Sequence, residues 1–405
     1  MRKGKRIKAI GLVVLWMGLN NPVVAQDTID TAGHNQRDLI DVMHRVFKKK
    51  TPRKDASSEP QVGQMHWSLV PGAGYTLGNG FTVSLTGNNS FYTSAQEEQN
   101  ISSITAVATI TANKQFSFVL QPNIWLPGNR LFLVGDYRYM INPQLNFGLG
   151  GHSKLSQHDL IKYRLLRVYQ YVYGRITGDL FAGAGFHFNR FNRITAIEYT
   201  GKHTDECRRY GLPSQTTSLG FSANLLFDQR RNLNNPVAGG SYLLIQYLHY
   251  LKSFGSTSKW RNVIFDARKY IGLNRTGQKK LALWGYGSFS IGRPPFLELP
   301  NTASDANNNM GRGYITGRFR GRNLVYGEAE YRTPLSRNGL IGGVLFANVQ
   351  SVTDWPSNEF TKWHPAIGTG LRIKFNKHAN TNICIDYGFG LDGSHGVFVN
   401  LGEVF

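Results

Sequence analysis

Ile383-Cys384-Ile385-Asp386-Tyr387-Gly388-Phe389 decides the fold. Taken two residues at a time, Ile383, Ile385, Tyr387 and Phe389 share one face, and Cys384, Asp386 and Gly388 share the other. A period of two marks a β-strand, whose successive side chains point to opposite sides of the sheet. The same alternation runs through Phe81-Thr82-Val83-Ser84-Leu85-Thr86. It recurs where Ile104, Ala106, Ala108 and Ile110 oppose Thr105, Thr109 and Thr111. A soluble sandwich would alternate too, with its apolar side inward. Length separates the two cases. Many of these segments run ten or more residues, enough for a tilted bilayer crossing, whereas soluble strands average about five or six.

From residue 65 onward this pattern repeats to the end of the chain. Strands are expected near 66–75, 80–92, 101–111, 115–124, 130–139, 160–172, 178–190 and 216–228. Eight more are expected near 240–252, 258–270, 279–290, 322–333, 340–348, 366–375, 381–390 and 396–405. That makes sixteen, an even number as single-chain bacterial barrels require. The run 143–149 is assigned to a loop rather than to a seventeenth strand. Long connections at 140–159, 191–215, 291–321 and 349–365 alternate with shorter ones at 173–177, 229–239, 271–278, 334–339 and 376–380. Outer-membrane barrels alternate outer loops with inner turns in this way, which places both termini on the short-turn side. The fold expected for 65–405 is all-β, a transmembrane antiparallel β-barrel of 16 strands.

Composition agrees. The 405 residues include 46 Lys+Arg, 25 Asp+Glu, two Cys and 45 Gly, with 12% aromatics and only 18% charged residues. Such a chain is neither a disordered tail, a disulfide-stapled mini-domain nor a coiled coil. After the N-terminus no eighteen consecutive residues are apolar. A membrane chain of this kind must close its sheet, because only closure satisfies every backbone N–H and C=O in lipid.

Ahead of the barrel, residues 1–25 read as a signal peptide. Arg2, Lys3, Lys5, Arg6 and Lys8 precede an apolar Ala9–Leu19 stretch, and Val23-Val24-Ala25 is a cleavage site of small residues. Its removal takes five charges from the formal +21, leaving +16. This basic excess suits either anionic lipid headgroups or a scatter of solvated side chains, while export argues against nucleic acid. Residues 26–64 form a polar arm. Within it Leu39, Ile40, Met43, Val46 and Phe47 have helical spacing, and Lys48-Lys49-Lys50-Thr51-Pro52-Arg53-Lys54 is a basic linker. A short N-terminal amphipathic helix is expected there, able to plug the barrel, touch the membrane, or form a loose arm.

Gly311-Arg312-Gly313-Tyr314-Ile315-Thr316-Gly317-Arg318-Phe319-Arg320-Gly321-Arg322 lies in the longest late connection, and Gly327-Glu328-Ala329-Glu330-Tyr331-Arg332-Thr333-Pro334 follows. Here the chain resembles the BamA/TamA superfamily of outer-membrane insertases and translocators, the bacterial surface antigen family. Arg312, Gly313 and Tyr314 match the family's R-G-F/Y loop motif. The resemblance implies a loop that folds into the barrel and sets its Arg against acidic residues on the next walls. Period two puts Glu328, Glu330 and Arg332 on one face, and carboxylates do not face lipid, so that face is luminal. Glu330 occupies the family's acidic position, and Asn348 stands where the family commonly has Asp. Asp228, Arg230, Asn232, Pro236 and Gly240 resemble the family's D-x-R-x-N…N-P…G turn. Asn400, Gly402 and the final Phe405 resemble its C-terminal β-signal, and Asp386-Tyr387-Gly388 fits its penultimate strand. The arm of 26–64 is too short for a POTRA-type domain, and none is expected.

Other chemistries lack support. No G-x-S-x-G occurs. Gly72-Ala73-Gly74 and Gly183-Ala184-Gly185 sit in strand patterns rather than dinucleotide loops. Cys207 and Cys384 are too isolated for zinc, and a disulfide between them is left open. His152 and His158 read as surface residues. The resemblance therefore implies a non-enzymatic protein without cofactors in the outer membrane of a Gram-negative bacterium. Its partners would be outer-membrane lipid, client envelope proteins and the barrel-assembly machinery. The alternative is a channel or transporter for small solutes.

Overall fold

Sixteen strands make one antiparallel sheet in chain order. They are β1 (His66–Thr76), β2 (Gly80–Phe91), β3 (Ser102–Thr111), β4 (Phe116–Trp125), β5 (Leu131–Asn146), β6 (Asp159–Thr177), β7 (Leu180–Ile197) and β8 (Thr216–Asp228). Then come β9 (Ser241–Tyr250), β10 (Trp260–Gly272), β11 (Lys280–Gly292), β12 (Asn323–Pro334), β13 (Ile341–Val352), β14 (His364–Asn376), β15 (Thr381–Gly390) and β16 (His395–Leu401). This is a computed structural model. It describes residues 36–39, 41–42, 66–76, 80–94, 99–197, 202–233, 235–305, 308–377 and 380–405. The chain divides into two units, Met1–Gln36 and Arg37–Phe405, and the second carries the sheet.

Burial is inverted relative to a soluble protein. Leu345 and Ile367 are 60% and 63% exposed on the outer face, whereas Arg312 and Glu330 are 1% and 0% exposed inside. An apolar exterior around a polar interior is the arrangement of a barrel bathed in lipid. Along β12, Leu324, Tyr326, Glu328, Glu330 and Arg332 all point inward, at every second residue. The first and last strands, β1 and β16, lie side by side. Among the described residues no hydrogen-bonded ladder joins them.

The strand count agrees with the sequence reading, but several boundaries do not: the connection expected at 173–177 is the end of β6, and β13 runs on to Val352. Residues 143–146 belong to neither a loop nor a seventeenth strand: β5 runs on to Asn146, paired with Asp159 of β6. Above the lipid a strand no longer needs an apolar outer face, so Asn142, Gln144 and Asn146 look like a loop in sequence and still form a ladder. The connection expected at 191–215 contains seven more residues of strand, to Ile197, and a helix, α1 (Lys202–Tyr210). The final strand stops at Leu401 instead of continuing to Phe405. Gly402 takes a φ of 89°, a left-handed turn open to glycine, and the last residues fold inward.

The long connections interlock over one end of the lumen. Gly150 N–H donates to Arg320 O at 2.7 Å, Gly151 N–H to Asp354 Oδ1 at 2.8 Å, and Tyr210 OH to Pro294 O at 2.9 Å. Cys207 is buried among Ile161, Phe191, Tyr210 and Phe296 in this cap, and both Cys207 and Cys384 are free thiols. His152 is 64% exposed and bonds Thr361 Oγ1 at 2.8 Å.

The signal peptide, the basic linker and Ile40, Met43, Val46 and Phe47 lie outside the described residues. Leu39, Asp41 and Val42 are helical. Asp38 caps this turn, accepting from the Asp41 N–H at 2.8 Å while its own N–H donates to Asp41 Oδ2 at 3.2 Å. The turn is tied to the short-turn end: Lys377 N–H donates to Asp38 Oδ2 at 2.9 Å, and Lys377 Nζ to Asp41 Oδ2 at 2.8 Å.

Candidate functional site: the luminal arginine network

The connection between β11 and β12, residues 293–322, enters the lumen at Gly311-Arg312-Gly313. Its backbone must come unusually close to the wall. A Cβ on Gly313 would lie 2.9 Å from Ala366 Cβ and 3.2 Å from the backbone of Phe389 and Gly390, and its φ of 106° is one that glycine alone tolerates well. The wall answers with a glycine of its own, since a Cβ on Gly388 would sit 2.7 Å from Gly313 N. Tyr314 then fastens the loop, donating to Pro365 O at 2.7 Å and accepting from Leu391 N–H at 2.9 Å. Ser394 Oγ donates to Gly313 O at 2.8 Å.

This entry aims the Arg312 guanidinium at three carboxylates. Nη2 donates to Glu328 and Glu330, and Nη1 to Asp386 Oδ2 at 2.5 Å. The Phe346 ring lies 3.8 Å from the guanidinium carbon. Asn348, paired with Glu328 across β12 and β13, does not meet the guanidinium; its Nδ2 donates to Arg312 O at 2.9 Å. The amide thus holds the loop backbone, while the third charge comes from Asp386 on β15. Asp386 stood on the polar face in the sequence, but its meeting with Arg312 depends on how the strands are ordered around the sheet.

The network extends further than the sequence showed. Arg332 Nε donates to Glu330 at 2.5 Å, and Arg372 Nη1 to Asp386 Oδ1 at 2.5 Å. Glu403, from the inward-folded tail, accepts from Arg372 Nε at 2.8 Å and from Asn382 Nδ2 at 2.7 Å. Arg332 Nη2 donates to Phe405 O at 2.9 Å, and Asn309 of the entering loop donates to Val404 O at 2.9 Å. Phe405 packs against Trp284, ring centroids 5.1 Å apart. Three guanidiniums therefore meet four carboxylates across β12, β14, β15, the loop and the tail. A buried charge left without its partner costs about 3–5 kcal/mol, so the members hold one another in place. No chemistry follows from this set; it fixes a loop and a chain end inside a barrel.

The other sequence-predicted residues lie apart. Asp228 and Arg230 form a two-bond pair, Nε to Oδ1 at 2.9 Å and Nη2 to Oδ2 at 2.8 Å, over the Tyr242 ring. Asn232 has a φ of 58° and its Oδ1 accepts from Asn235 N–H at 3.1 Å, shaping the turn. Lys280 Nζ reaches Pro236 O at 2.7 Å, and Gly240 O accepts from Tyr270 N–H at 3.1 Å. Asn400 pairs with Cys384 in the last ladder.

Fold and site together describe a sixteen-stranded β-barrel of the outer-membrane kind, with one loop held in its lumen by a buried arginine. No protein-family model matches the sequence, and no curated protein matches it. Solved structures do match. One is BamA from Haemophilus ducreyi lacking POTRA domains 1–3, with a TM-score of 0.57 and 14% identity, over 84% of this chain and 69% of that one. Another is CdiB from Acinetobacter baumannii, with a TM-score of 0.55 and 12% identity, over 84% of this chain and 60% of that one. At these identities the likeness is one of fold, the bacterial outer-membrane β-barrel.

Proposed function

We propose that this protein is an integral outer-membrane barrel of the BamA/TamA kind, which assists assembly or translocation of envelope proteins without covalent chemistry. The observation that carries this reading is the seam. β16 has only seven residues, and among the described residues it shares no ladder with β1. Strand edges with free N–H and C=O groups are templates for another strand. The Arg312 network keeps the rest of the wall rigid while that edge stays available. The fold shared with BamA and CdiB agrees with the reading. Outer-membrane lipid would surround the barrel, residues 1–25 would direct export, and the barrel-assembly machinery would insert the chain.

Photo-crosslinkers at Leu69 on β1 and at Leu401 on β16 test this reading. Adducts to other envelope proteins, absent when the crosslinker sits at the exposed Phe221 on β8, half the sheet away from the seam, are expected. Adducts to lipid alone from both seam positions would end the proposal. A second reading, a channel or transporter for small solutes, is favoured by a cavity of about 640 Å³ inside the barrel. Conductance in planar bilayers that a soluble solute blocks, with no client adduct at the seam, would select it.

A further inference from the structure

The lumen opposite the Arg312 network is lined very differently. Its cavity runs from Leu233 and Arg230 at the short-turn end to the 293–322 loop. In a chain of net charge +21 it is balanced: five arginines and five carboxylates line it. Three of those arginines are closed on their own strand or turn. Arg138 holds Asp136 at 2.6 and 2.8 Å, Arg230 holds Asp228 at 2.9 and 2.8 Å, and Arg268 holds Asp266 at 2.9 and 2.7 Å. The spacing is Asp-x-Arg each time. Arg167 and Glu298 meet on one amide, Asn189, at 3.1 and 2.7 Å. Arg320, the fifth, donates from Nη1 to the backbone Phe296 O at 3.1 Å and lies over the Phe296 ring, so each lining guanidinium already has an acceptor.

Hydrogen-bonding groups and rings fill the remainder. Ten Asn and Gln side chains line the cavity. Tyr169, Tyr171 and Tyr173 follow one another along β6, with ring centroids 6.5 and 6.1 Å apart. Tyr171 and Tyr173 lie over the bare backbone of their cross-strand partners Gly185 and Gly183. A Cβ on Gly185 would meet the Tyr171 ring at 2.7 Å, and one on Gly183 would meet the Tyr173 ring at 2.5 Å. Tyr173 is closed over by Phe132, ring centroids 6.1 Å apart, and is 4% exposed, whereas Tyr171 is only partly buried and lines the cavity. Between Tyr169, 4.1 Å away, and Tyr171, 5.1 Å away, sits His187. It is 1% exposed, and neither ring nitrogen has a hydrogen-bond partner among the described residues.

We propose that this cavity binds a short uncharged oligosaccharide, stacked on Tyr171 and hydrogen-bonded by His187 and the amide side chains. A sugar hydroxyl both donates and accepts, which suits a neutral imidazole and a wall of amides, each with both functions. The C–H face of a pyranose ring suits an aromatic face. The volume lies within the range of about 300–1,000 Å³ usual for small-molecule sites. The inference concerns binding alone, and it holds whether or not the seam engages client strands.

Calorimetric titration of the detergent-solubilised full chain tests it, with maltotriose and chitotriose as neutral probes. Trigalacturonate and an Asn/Ser-rich peptide serve as charged and polypeptide probes. Saturable binding of a neutral trimer, with quenching of the Trp260 that lines the cavity, is expected. Tyr171→Ala should weaken it about tenfold, as loss of a stacking ring does. Tyr171→Phe, which keeps the ring and the packing, should retain binding, and so should Tyr247→Ala on the lipid face. Unchanged heat-modifiable migration certifies that each variant is folded. Competition by lipopolysaccharide vesicles identifies a membrane-borne glycan, and its absence a free one; both outcomes uphold the site. No saturable binding of either neutral trimer overturns the proposal. So does binding of trigalacturonate or the peptide as tight as theirs, or a folded Tyr171→Ala variant that binds as well as the parent.

Discussion

Two walls of the same lumen use the same residue types to opposite ends. On β5, β10 and the turn after β8, each arginine bonds the aspartate two residues before it, and Asp266 also accepts from Trp284 Nε1 on the next strand at 2.9 Å. On β12, Glu330 and Arg332 have the same spacing, but Glu330 also takes Arg312 from the loop, and Arg332 also takes Phe405 O from the tail. The first wall spends these bonds within a segment or on the neighbouring strand and leaves room in the lumen. The second spends them on other parts of the chain and fills the space. The carboxylate–arginine pair is neutral as to function; what matters is whether its spare valences point along the strand or across the barrel.

The largest test of that difference is Arg312→Ala. It strips one partner from Glu328, Glu330 and Asp386 together, and a loss of about 3–5 kcal/mol is expected. The readout is unfolding in detergent, followed by heat-modifiable migration, with surface abundance falling in parallel. Glu403→Gln should cost less, about 1.5–3 kcal/mol, as a charged hydrogen bond does. Its effect should fall on the tail: Val404 and Phe405 should become open to carboxypeptidase while the barrel still migrates as folded. Equal trimming of both proteins would show that Phe405 packing on Trp284 holds the tail without Glu403.

A third expectation separates the walls directly. Replacing Asp266 and Arg268 together by Asn and Gln should restore most of the stability that Arg268→Gln alone removes, because the pair answers to little beyond itself and Asn still accepts from Trp284 Nε1. The corresponding pair on β12, Glu330→Gln with Arg332→Gln, should show no such recovery, since Arg312, Arg372 and the tail each lose a partner. Double-mutant cycles measure both. Similar coupling on the two walls would erase the distinction.

How much of this could be read in advance follows the same division. Period two placed Glu328, Glu330 and Arg332 on one face, and the resemblance of Arg312-Gly313-Tyr314 to a family loop motif implied a loop folded into the barrel. Which carboxylate would close the third side was not legible. Asp386 lies 74 positions from Arg312, and only the order of β12 to β15 brings them together. The tail misled for a related reason. Val399-Asn400-Leu401 alternates well, and nothing local announces that Arg372 on β14 draws Glu403 inward. The extension of β5 to Asn146 and the helix α1 were missed because they stand clear of the lipid, where apolar alternation is no longer required. The Asp-x-Arg pairs, by contrast, are visible as repeats in the sequence, though their agreement in role shows only when they line one cavity.

The 293–322 loop touches both walls, so pH offers the mildest way to loosen one grip and spare the other. At one end Arg312 is held by carboxylates. At the other, Glu298 accepts from Asn189 on β7 at 2.7 Å, and burial pushes its carboxyl up to about 7 against hydrogen bonds from Ser218 and Asn189 that pull it down. The folded loop therefore favours the protonated acid, and an unfolded loop would release that proton near the ordinary glutamate value of about 4.3. Between those two values the unfolded state binds fewer protons, so the contribution of Glu298 to loop stability falls as pH rises, and it is fully present only below that range. Limited proteolysis of the 293–322 loop in detergent should be a few-fold faster at pH 8 than at pH 5, with cleavage on the Glu298 side of Arg312. Glu298→Gln, which keeps the amide contact and cannot ionise, should flatten the profile. A variant whose cleavage still accelerates with pH would assign the effect to another group in the cap.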